Sequence, residues 1–302
     1  MRAGPAPLTL VSLGVFTGSE SERATMNFSD LHRPLWDRLV DLAQAQIANI
    51  HIRPFDEEGK ERHEKLAIDM RESLEYRFSA VGFHAGILRK HQLHGLKQLA
   101  DQFPFGSSDS FDITYTARRH QQMLFDAVIF NILALFDYVG NAIGFSFHGA
   151  NSGAMKWKWK RATQYIRDPS AEQRKHGTDR YSRSAVAPVV ERVDREWISR
   201  LEEYRAELIH YKAEPAGGGH SFRFAKDEPA TVSLTITTPP AFTKSVPMPG
   251  KARGEPVFIV EATDWLLVQT QASVLSIVDA LTVELEREPA PPDGGLRVRR
   301  AS

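Results

Sequence analysis

The pattern of apolar positions predicts a mainly helical protein. Downstream of Met26, apolar residues recur every three or four positions, as they do on the buried face of an amphipathic helix. We expect a break near Gly82 to Gly86, and we expect the most apolar stretch to lie at the bundle centre. The stretches with this period run through residues 34–53, 57–103, 112–147, 189–211 and 263–288.

The period changes from four to two near residue 220. The segments SFRFAK and ATVSLTITT alternate about a DEP turn, which is typical of a β-hairpin, and PVFIV is expected to add a third strand. The predicted fold is therefore mainly α: an antiparallel helical bundle with a small antiparallel β-hairpin insertion before the last helix. The sequence has neither the alternating strands and helices nor the Gly-rich phosphate motif of a dinucleotide-binding sheet.

The chain order predicts four segments. Residues 1–26 form a disordered leader, in which Pro, Ser, Thr and Gly interrupt the apolar run, so that it makes a poor signal peptide. Residues 27–112 form an N-terminal helical segment packed on the bundle. Residues 113–288 form the bundle itself, with the β insertion at 220–260, and 289–302 form a disordered tail. Met1 and Met26 are both candidate start sites of translation.

Composition restricts the kinds of partner and chemistry. The 302 residues include 38 basic and 38 acidic side chains, so binding of nucleic acid or anionic lipid must come from a local patch. The absence of cysteine excludes disulfides and thiol nucleophiles, and it suits the cytoplasmic location that we expect. Asp126 and Asp137 interrupt the most apolar stretch, and a carboxylate is costly in lipid, so we expect a buried bundle helix and no membrane partner.

The segment YRAELIHYKAE holds an arginine and a histidine near the end of a predicted helix. Arg205 and His210 are separated by four residues and lie about 140° apart around the helix, at roughly 100° per residue. Spacings of this kind occur at two other places in the chain, so spacing alone does not single out this pair. Its position does, because it closes an amphipathic helix between the most apolar helix and the hairpin.

With YRAELIHY in this position, the chain resembles the HEPN superfamily of helical-bundle proteins, many of which are RNA-cleaving toxins or defence nucleases with an R-x4-6-H motif. The resemblance covers roughly residues 113–288. It implies a homodimer that brings two motifs together across one cleft, and it implies no metal or cofactor. Ala206 departs from the Asn, Asp or His that often follows the arginine in the family.

The two residue types suit phosphodiester cleavage. A histidine that titrates near neutrality can take the proton of a ribose 2′-hydroxyl or protonate the leaving oxygen, and a guanidinium stabilises charge on the phosphoryl group. Ile198 and Ile209 beside Arg205 are compatible with a partner surface. The alternative is that these isoleucines face another helix of the same chain and that Arg205 pairs with Glu202.

Two polar residues on the central helix are candidates for supporting roles. Asp137 and Asn141 lie one helical turn apart and could orient the arginine or histidine of a neighbouring helix. The alternative is a buried hydrogen-bonded contact within the bundle.

The stretch MKWKWKRATQYIR interleaves basic and aromatic residues. Residues 156–183 contain nine basic and three acidic side chains, which makes this stretch the best local candidate for contact with RNA phosphates and bases. The alternative is that a tryptophan packs under the loop while the lysines stay solvated. The candidate RNA-binding residues are Lys156, Trp157, Lys158, Trp159, Lys160, Arg161 and Arg167.

These observations favour an RNA-binding protein with metal-independent endoribonuclease activity, and we expect RNA, a second copy of the chain and a regulatory protein as partners. His91 and His94 lack a nearby third ligand, so no metal site is expected. The alternative function is a non-catalytic helical-bundle protein that serves assembly or partner recognition.

Overall fold

The chain folds as a mainly helical protein with a small antiparallel hairpin before its last helix, which confirms the predicted fold class. A computed structural model describes residues 9–10, 28–49, 57–102, 109–149, 156–210, 215–225 and 228–287. The predicted tail at 289–302 lies outside these residues. The described helices are α1 (Phe28–Ala48), α2 (Glu57–Asp101), α3 (Asp109–His148), α4 (Trp159–Arg167), α5 (Pro169–His176), α6 (Val186–Val193), α7 (Ser199–His210), α8 (Pro240–Ser245) and α9 (Ile259–Arg287), with one π-helical turn at Asp194–Ile198 between α6 and α7.

The hairpin consists of β2 (Gly218–Ala225) and β3 (Glu228–Ile236), which pair antiparallel with His220 opposite Leu234. The third strand is not the predicted PVFIV segment. Phe258 makes only an isolated bridge to Thr237, because α9 already begins at Ile259. Instead β1 (Thr9–Leu10), within the predicted leader, pairs parallel with β3.

Two helices differ from the predicted boundaries. The first begins six residues before Pro34, and the Phe28 ring stacks on Phe78 at 5.4 Å, which stabilises the added turns. The second shows no break between Gly82 and Gly86. Burial of Val81 and Ala85, both 0% exposed, offsets the roughly 1 kcal/mol that each helical glycine costs.

The described residues divide into two compact units. Unit 1 draws on 1–26, 81–130 and 200–267, and unit 2 draws on 27–80, 131–199 and 268–302. Each unit therefore contains parts of both predicted segments, 27–112 and 113–288.

In unit 1, the hairpin packs closely on α2. Gln92 Nε2 donates a 2.8 Å hydrogen bond to the carbonyl oxygen of Leu234. A Cβ at Gly95 would lie 2.7 Å from Leu234 Cδ2, so glycine permits this close approach. Edge-to-face contacts of Phe242 with Phe125 at 4.9 Å and with Tyr204 at 5.4 Å join α8 to α3 and α7.

In unit 2, aromatic rings join α3 to α4 and to the π-helical turn. The Phe136 ring lies edge-to-face against Trp159 at 4.9 Å and Trp197 at 5.5 Å. Both indole N–H groups are satisfied, the first by Asp194 at 2.8 Å and the second by Ser273 at 3.0 Å. This core fixes where the basic stretch leaves the helices.

Two of the described helices, α3 and α9, are long and apolar enough to cross a membrane by length and composition alone. About half of each apolar window is buried inside the protein, 50% in α3 and 44% in α9, and core helices pass the same test. Within α3, Phe125, Ile132 and Phe136 are all 0% exposed. One side of the central helix is therefore buried within the protein, as its apolar pattern predicts, whereas Met123 and Phe130 on the same helix are exposed.

Candidate functional site

Arg205 lies on the exposed side of α7 in unit 1. Its guanidinium is positioned over the ring of Phe130, 5.6 Å from the ring centre, and that ring is itself 39% exposed. A cation held over an aromatic face loses part of its rotamer freedom and stays accessible from the solvent side. Arg205 is therefore oriented and reachable by an anion.

His210 is the last residue of α7. Its side chain lies outside the part of the chain that the structure describes, so the pairing of His210 with Arg205 stays a prediction.

A carboxyl group outside the sequence motif, that of Asp126, contacts α7 at the residue before Arg205. The Tyr204 hydroxyl donates a hydrogen bond of 3.4 Å to Asp126 Oδ1, and the Tyr204 side chain is 0% exposed. Asp126 lies one helical turn before Phe130 on α3, and Tyr204 directly precedes Arg205 on α7. Asp126 and Phe130 therefore both contact α7, the acid at Tyr204 and the ring at Arg205.

The environment of Asp126 changes its acidity. Burial raises the pKa of its carboxyl from 3.8 to about 6, although the Tyr204 hydrogen bond opposes this shift. Burial and the Asp126 charge also raise the pKa of Tyr204, so its hydroxyl remains a donor. Asp126 consequently gains or loses a proton just below neutrality, which is typical of groups at functional sites.

Sequence reasoning used Asp126 only as an argument against a membrane span. The single carboxylate inside LFDAVIF nevertheless indicates an unusual environment, because an acid placed among buried apolar neighbours must be hydrogen-bonded or have a shifted pKa. The sequence does not indicate the hydrogen-bond partner of Asp126, because Tyr204 lies in the apolar stripe of its helix like the core residues around it.

No protein-family model, curated protein or solved structure matches this chain. The HEPN resemblance therefore stays a prediction carried by the sequence pattern, and the functional argument depends on the geometry of each site.

Asp137 and Asn141 lie in unit 2, whereas Arg205 lies in unit 1. Asp137 Oδ1 accepts the backbone N–H of Trp159 at 3.2 Å, and its other oxygen lies 3.9 Å from the Lys158 ammonium. The Asn141 side-chain oxygen is buried without a hydrogen-bond partner among the described residues. Asp137 thus anchors the start of α4, and the predicted support of Arg205 or His210 by this pair is not tested.

In the basic stretch of unit 2, the charged side chains are exposed and the tryptophan rings are buried. All five basic candidates, Lys156, Lys158, Lys160, Arg161 and Arg167, are exposed.

Trp157 and Trp159 are only 2% and 1% exposed. This burial corrects the expectation that both indoles offer ring faces to bases. The indoles belong to the core because Phe136, Tyr165 and Tyr181 surround them. Arg167 donates to Asp194 at 2.8 Å, which neutralises part of its charge.

The two isoleucines proposed for a partner surface have different environments. Ile198 is 0% exposed, so it belongs to the core and not to a partner surface. Ile209 is 55% exposed near the end of α7 and is available to a partner.

A second polar cluster surrounds Glu172 in unit 2. Its carboxylate is fully buried, accepts the backbone N–H groups of Tyr181 and Ser182 at 2.9 Å each, and lies 3.0 Å from His148 Nε2. Burial raises the pKa of Glu172, but the hydrogen bonds from His148 and from the two residues on the loop outweigh it and lower the pKa. The His176 ring stacks on His148 at 4.1 Å.

No group of three or more His, Asp or Glu side chains within the described ranges is placed to hold a metal ion.

Proposed function

We propose that this protein is a HEPN-like RNA-binding protein and a metal-independent endoribonuclease. The observation that supports the proposal is the contact of α3 with α7, where an exposed guanidinium lies over Phe130 and a carboxyl group with a pKa of about 6, one helical turn earlier on α3, binds Tyr204. Phosphodiester cleavage needs a cation that stabilises charge on the phosphoryl group, and Arg205 is oriented for that role, whereas His210 is the proton-transferring group of the proposal.

The proposed roles follow from the side-chain chemistry. His210 removes the proton from the ribose 2′-hydroxyl or protonates the leaving 5′-oxygen, and Arg205 stabilises the negative charge that grows on the phosphoryl group. The 2′-oxygen forms a bond to phosphorus while the bond to the 5′-oxygen breaks. No chemical step is assigned to Asp137, which anchors the start of α4, or to Asn141.

Substrate binding is proposed to use the basic stretch. Lys156, Lys158, Lys160 and Arg161 are exposed on and before α4, and each can neutralise a backbone phosphate. Because the neighbouring indoles are buried, this contact is electrostatic and independent of base sequence. A homodimer and a cytoplasmic location are further parts of the proposal.

Cleavage of a mixed RNA pool in EDTA tests the catalytic roles. We expect the intact protein to cleave, and we expect Arg205→Ala and His210→Ala to lose about 100-fold or more in rate. Arg200→Ala is the matched control, because Arg200 is exposed on the same helix and pairs with Glu203 at 3.2 Å. Equal activity of all variants would assign the cleavage to another site or to a contaminant.

A non-catalytic assembly protein is the second candidate function. It is favoured by large apolar side chains exposed on unit 1, with Phe111 80%, Met123 62% and Ile209 55% exposed. Exposed apolar area of this kind often marks a protein interface. This function predicts a stable oligomer that Ile209→Glu dissociates to the 34.0 kDa protomer, while no RNA is bound or cleaved.

A further inference from the structure

Three aromatic rings are exposed along one side of α3 in unit 1. Phe111 is 80%, Tyr115 is 53% and Phe130 is 39% exposed. At roughly 100° per residue, these positions and that of Arg118 fall within an arc of about 120°, so they form a strip along the helix. Tyr115 and Phe130 are separated by about 22 Å along the helix axis.

Two of the three rings lie against a guanidinium. Arg118 lies over the Tyr115 ring at 5.2 Å, and Arg205 lies over the Phe130 ring at 5.6 Å. The first arginine comes from the same helix as its ring, whereas the second comes from α7. The same pairing therefore arises twice from different elements.

The hairpin fixes the Phe111 end of the strip. His220 on β2 shares a 2.7 Å hydrogen bond between its Nδ1 and the Thr114 hydroxyl, and its ring meets the Phe111 ring edge-on at 6.2 Å. A Cβ at Gly218 would lie 3.2 Å from Cδ of Arg118, so the small residue leaves room for the arginine stem. These contacts orient His220 beside the Phe111 ring and place the Arg118 stem beside Gly218 of the same strand.

We propose that this strip, consisting of Phe111, Tyr115, Arg118, Phe130, Arg205 and His220, binds single-stranded RNA and leads it to Arg205. The inference rests on the proposed function and adds a base-binding surface to it. Exposed rings stack on unpaired bases, whereas the bases of a duplex are already stacked on one another.

The charges beside the rings favour a nucleic-acid ligand. A single strand presents bases and phosphates, and the strip presents the Phe111 and Tyr115 rings with Arg118, and the Phe130 ring under Arg205 about 22 Å from Tyr115 along the axis. Six acidic residues lie within four positions of the strip along the chain: Asp109, Asp112, Asp126, Glu202, Glu203 and Glu207. Asp126 is bound by the Tyr204 hydroxyl, so it is already engaged within the protein.

Binding of a fluorescent 2′-O-methyl RNA of about 12 nucleotides tests the strip separately from cleavage. The blocked 2′-oxygen cannot attack the phosphate, so affinity is measured without turnover. We expect the full-length chain to bind the single strand, and the double variant Phe111→Ala/Tyr115→Ala to bind about tenfold or more weakly. A duplex of the same sequence is expected to bind more weakly than the single strand.

Two control variants separate ring stacking from other effects. Phe83→Ala removes a ring that is 64% exposed on α2, and we expect its affinity to stay within about twofold of the intact chain. Phe111→Tyr/Tyr115→Phe keeps both rings and should retain binding. Circular dichroism confirms that each variant keeps its helices, which the high exposure of both side chains leads us to expect.

The outcomes distinguish failure of the strip from failure of the function. If the intact chain binds RNA and the double alanine variant binds equally well, RNA does not bind at the strip, and the proposed function stands. Equal binding of the duplex would also overturn the strip. If the intact chain cleaves RNA in EDTA but does not bind the single strand, the strip alone is wrong; no cleavage and no binding would overturn both. A change from dimer to monomer in the double variant, with RNA affinity unchanged, would identify the strip as a protein interface.

Discussion

At Asp126, burial and one hydrogen bond act in opposite directions on a single proton. Burial dominates and raises the pKa from 3.8 to about 6. The folded chain favours the protonated acid. The contribution of Asp126 to the free energy of unfolding is therefore greatest below about pH 4, and it is lost as the pH rises to 6. The loss is of the order of 3 kcal/mol for a shift of about two pH units.

Asp126→Asn should therefore become more stable than the wild type as the pH rises. The amide keeps an oxygen that accepts the Tyr204 hydrogen bond but carries no charge. We expect the free energy of unfolding of the variant, relative to wild type, to increase by about 1–3 kcal/mol between pH 4 and pH 7.5 in urea titrations. Asp112→Asn, on the exposed part of α3, is the control. A stability difference for Asp126→Asn that does not change with pH would contradict the assignment.

His176 responds to pH in the opposite direction. Burial, followed by the nearby His148 and the charges of Lys175 and Arg161, lowers its pKa from 6.5 to about 4, although Glu172 acts against this. The unfolded chain binds a proton below about pH 6.5 that the folded chain does not accept until about pH 4. The fold is therefore expected to lose stability as the pH falls through this window.

His176→Gln should reduce that acid sensitivity. Melting temperatures at pH 7.5 and pH 5 should differ less for this variant than for the wild type, because a neutral side chain binds no proton. Gln173→Ala, which alters an exposed side chain on the same helix that binds no proton, should leave the difference unchanged. An equal loss of stability in wild type and His176→Gln would show that other groups cause the acid sensitivity.

At the scale of elements, two helical glycines have opposite roles. A Cβ at Gly140 on α3 would lie 2.7 Å from the backbone carbon of Lys158 and 2.8 Å from the backbone nitrogen of Trp159. Backbone atoms cannot move aside cheaply, so the clash outweighs the helix propensity that alanine adds. At Gly86 on α2, no atom lies within 4 Å of the added Cβ.

Gly140→Ala is therefore expected to destabilise the fold by about 1–3 kcal/mol, as overpacking does. Gly86→Ala, its matched control, is expected to stabilise by about 0.5–1 kcal/mol. Denaturant unfolding of both variants checks the signs. Stabilisation by both substitutions would mean that α4 does not begin against α3 as described.

The helix order and the hairpin could be predicted from periodicity, because one face of each element is buried. The continuity of α2 could not, since Gly82 and Gly86 favour a break locally and only the packing of neighbours such as Val81 keeps the helix intact. The pairing of Thr9–Leu10 with β3 is equally non-local, because a two-residue strand has no period.

Across the whole molecule, the sequence pattern predicts correctly that the lysines of the basic stretch are exposed and predicts incorrectly that its tryptophan rings are exposed. Lysines at 156, 158 and 160 are exposed as their charge requires, but the interleaved Trp157 and Trp159 fill the core of unit 2. Alternation in the sequence shows that two residue types face different sides, and it does not show which side is solvent. Exposed rings occur instead on α3, where Phe111 and Tyr115 had given no motif.

The candidate site was partly accessible to sequence reasoning for a similar reason. Arg205 is indicated by the position of its motif at the end of a helix between the most apolar helix and the hairpin, which is a relation along the chain. Asp126 and Tyr204 are 78 residues apart, and their hydrogen bond depends on how α3 and α7 pack in unit 1. Such a pair can only be found once the fold is known.

The central claim is that Arg205 takes part in metal-independent cleavage of RNA. Analysis of the product ends after digestion of RNA in EDTA, with intact protein and with Arg205→Ala, tests it most directly. We expect 2′,3′-cyclic phosphate and 5′-hydroxyl ends from the intact protein, formed at least about 100-fold more slowly by the variant. An absence of cleavage, ends that carry a 3′-hydroxyl and a 5′-phosphate, or equal rates for the two proteins would contradict it.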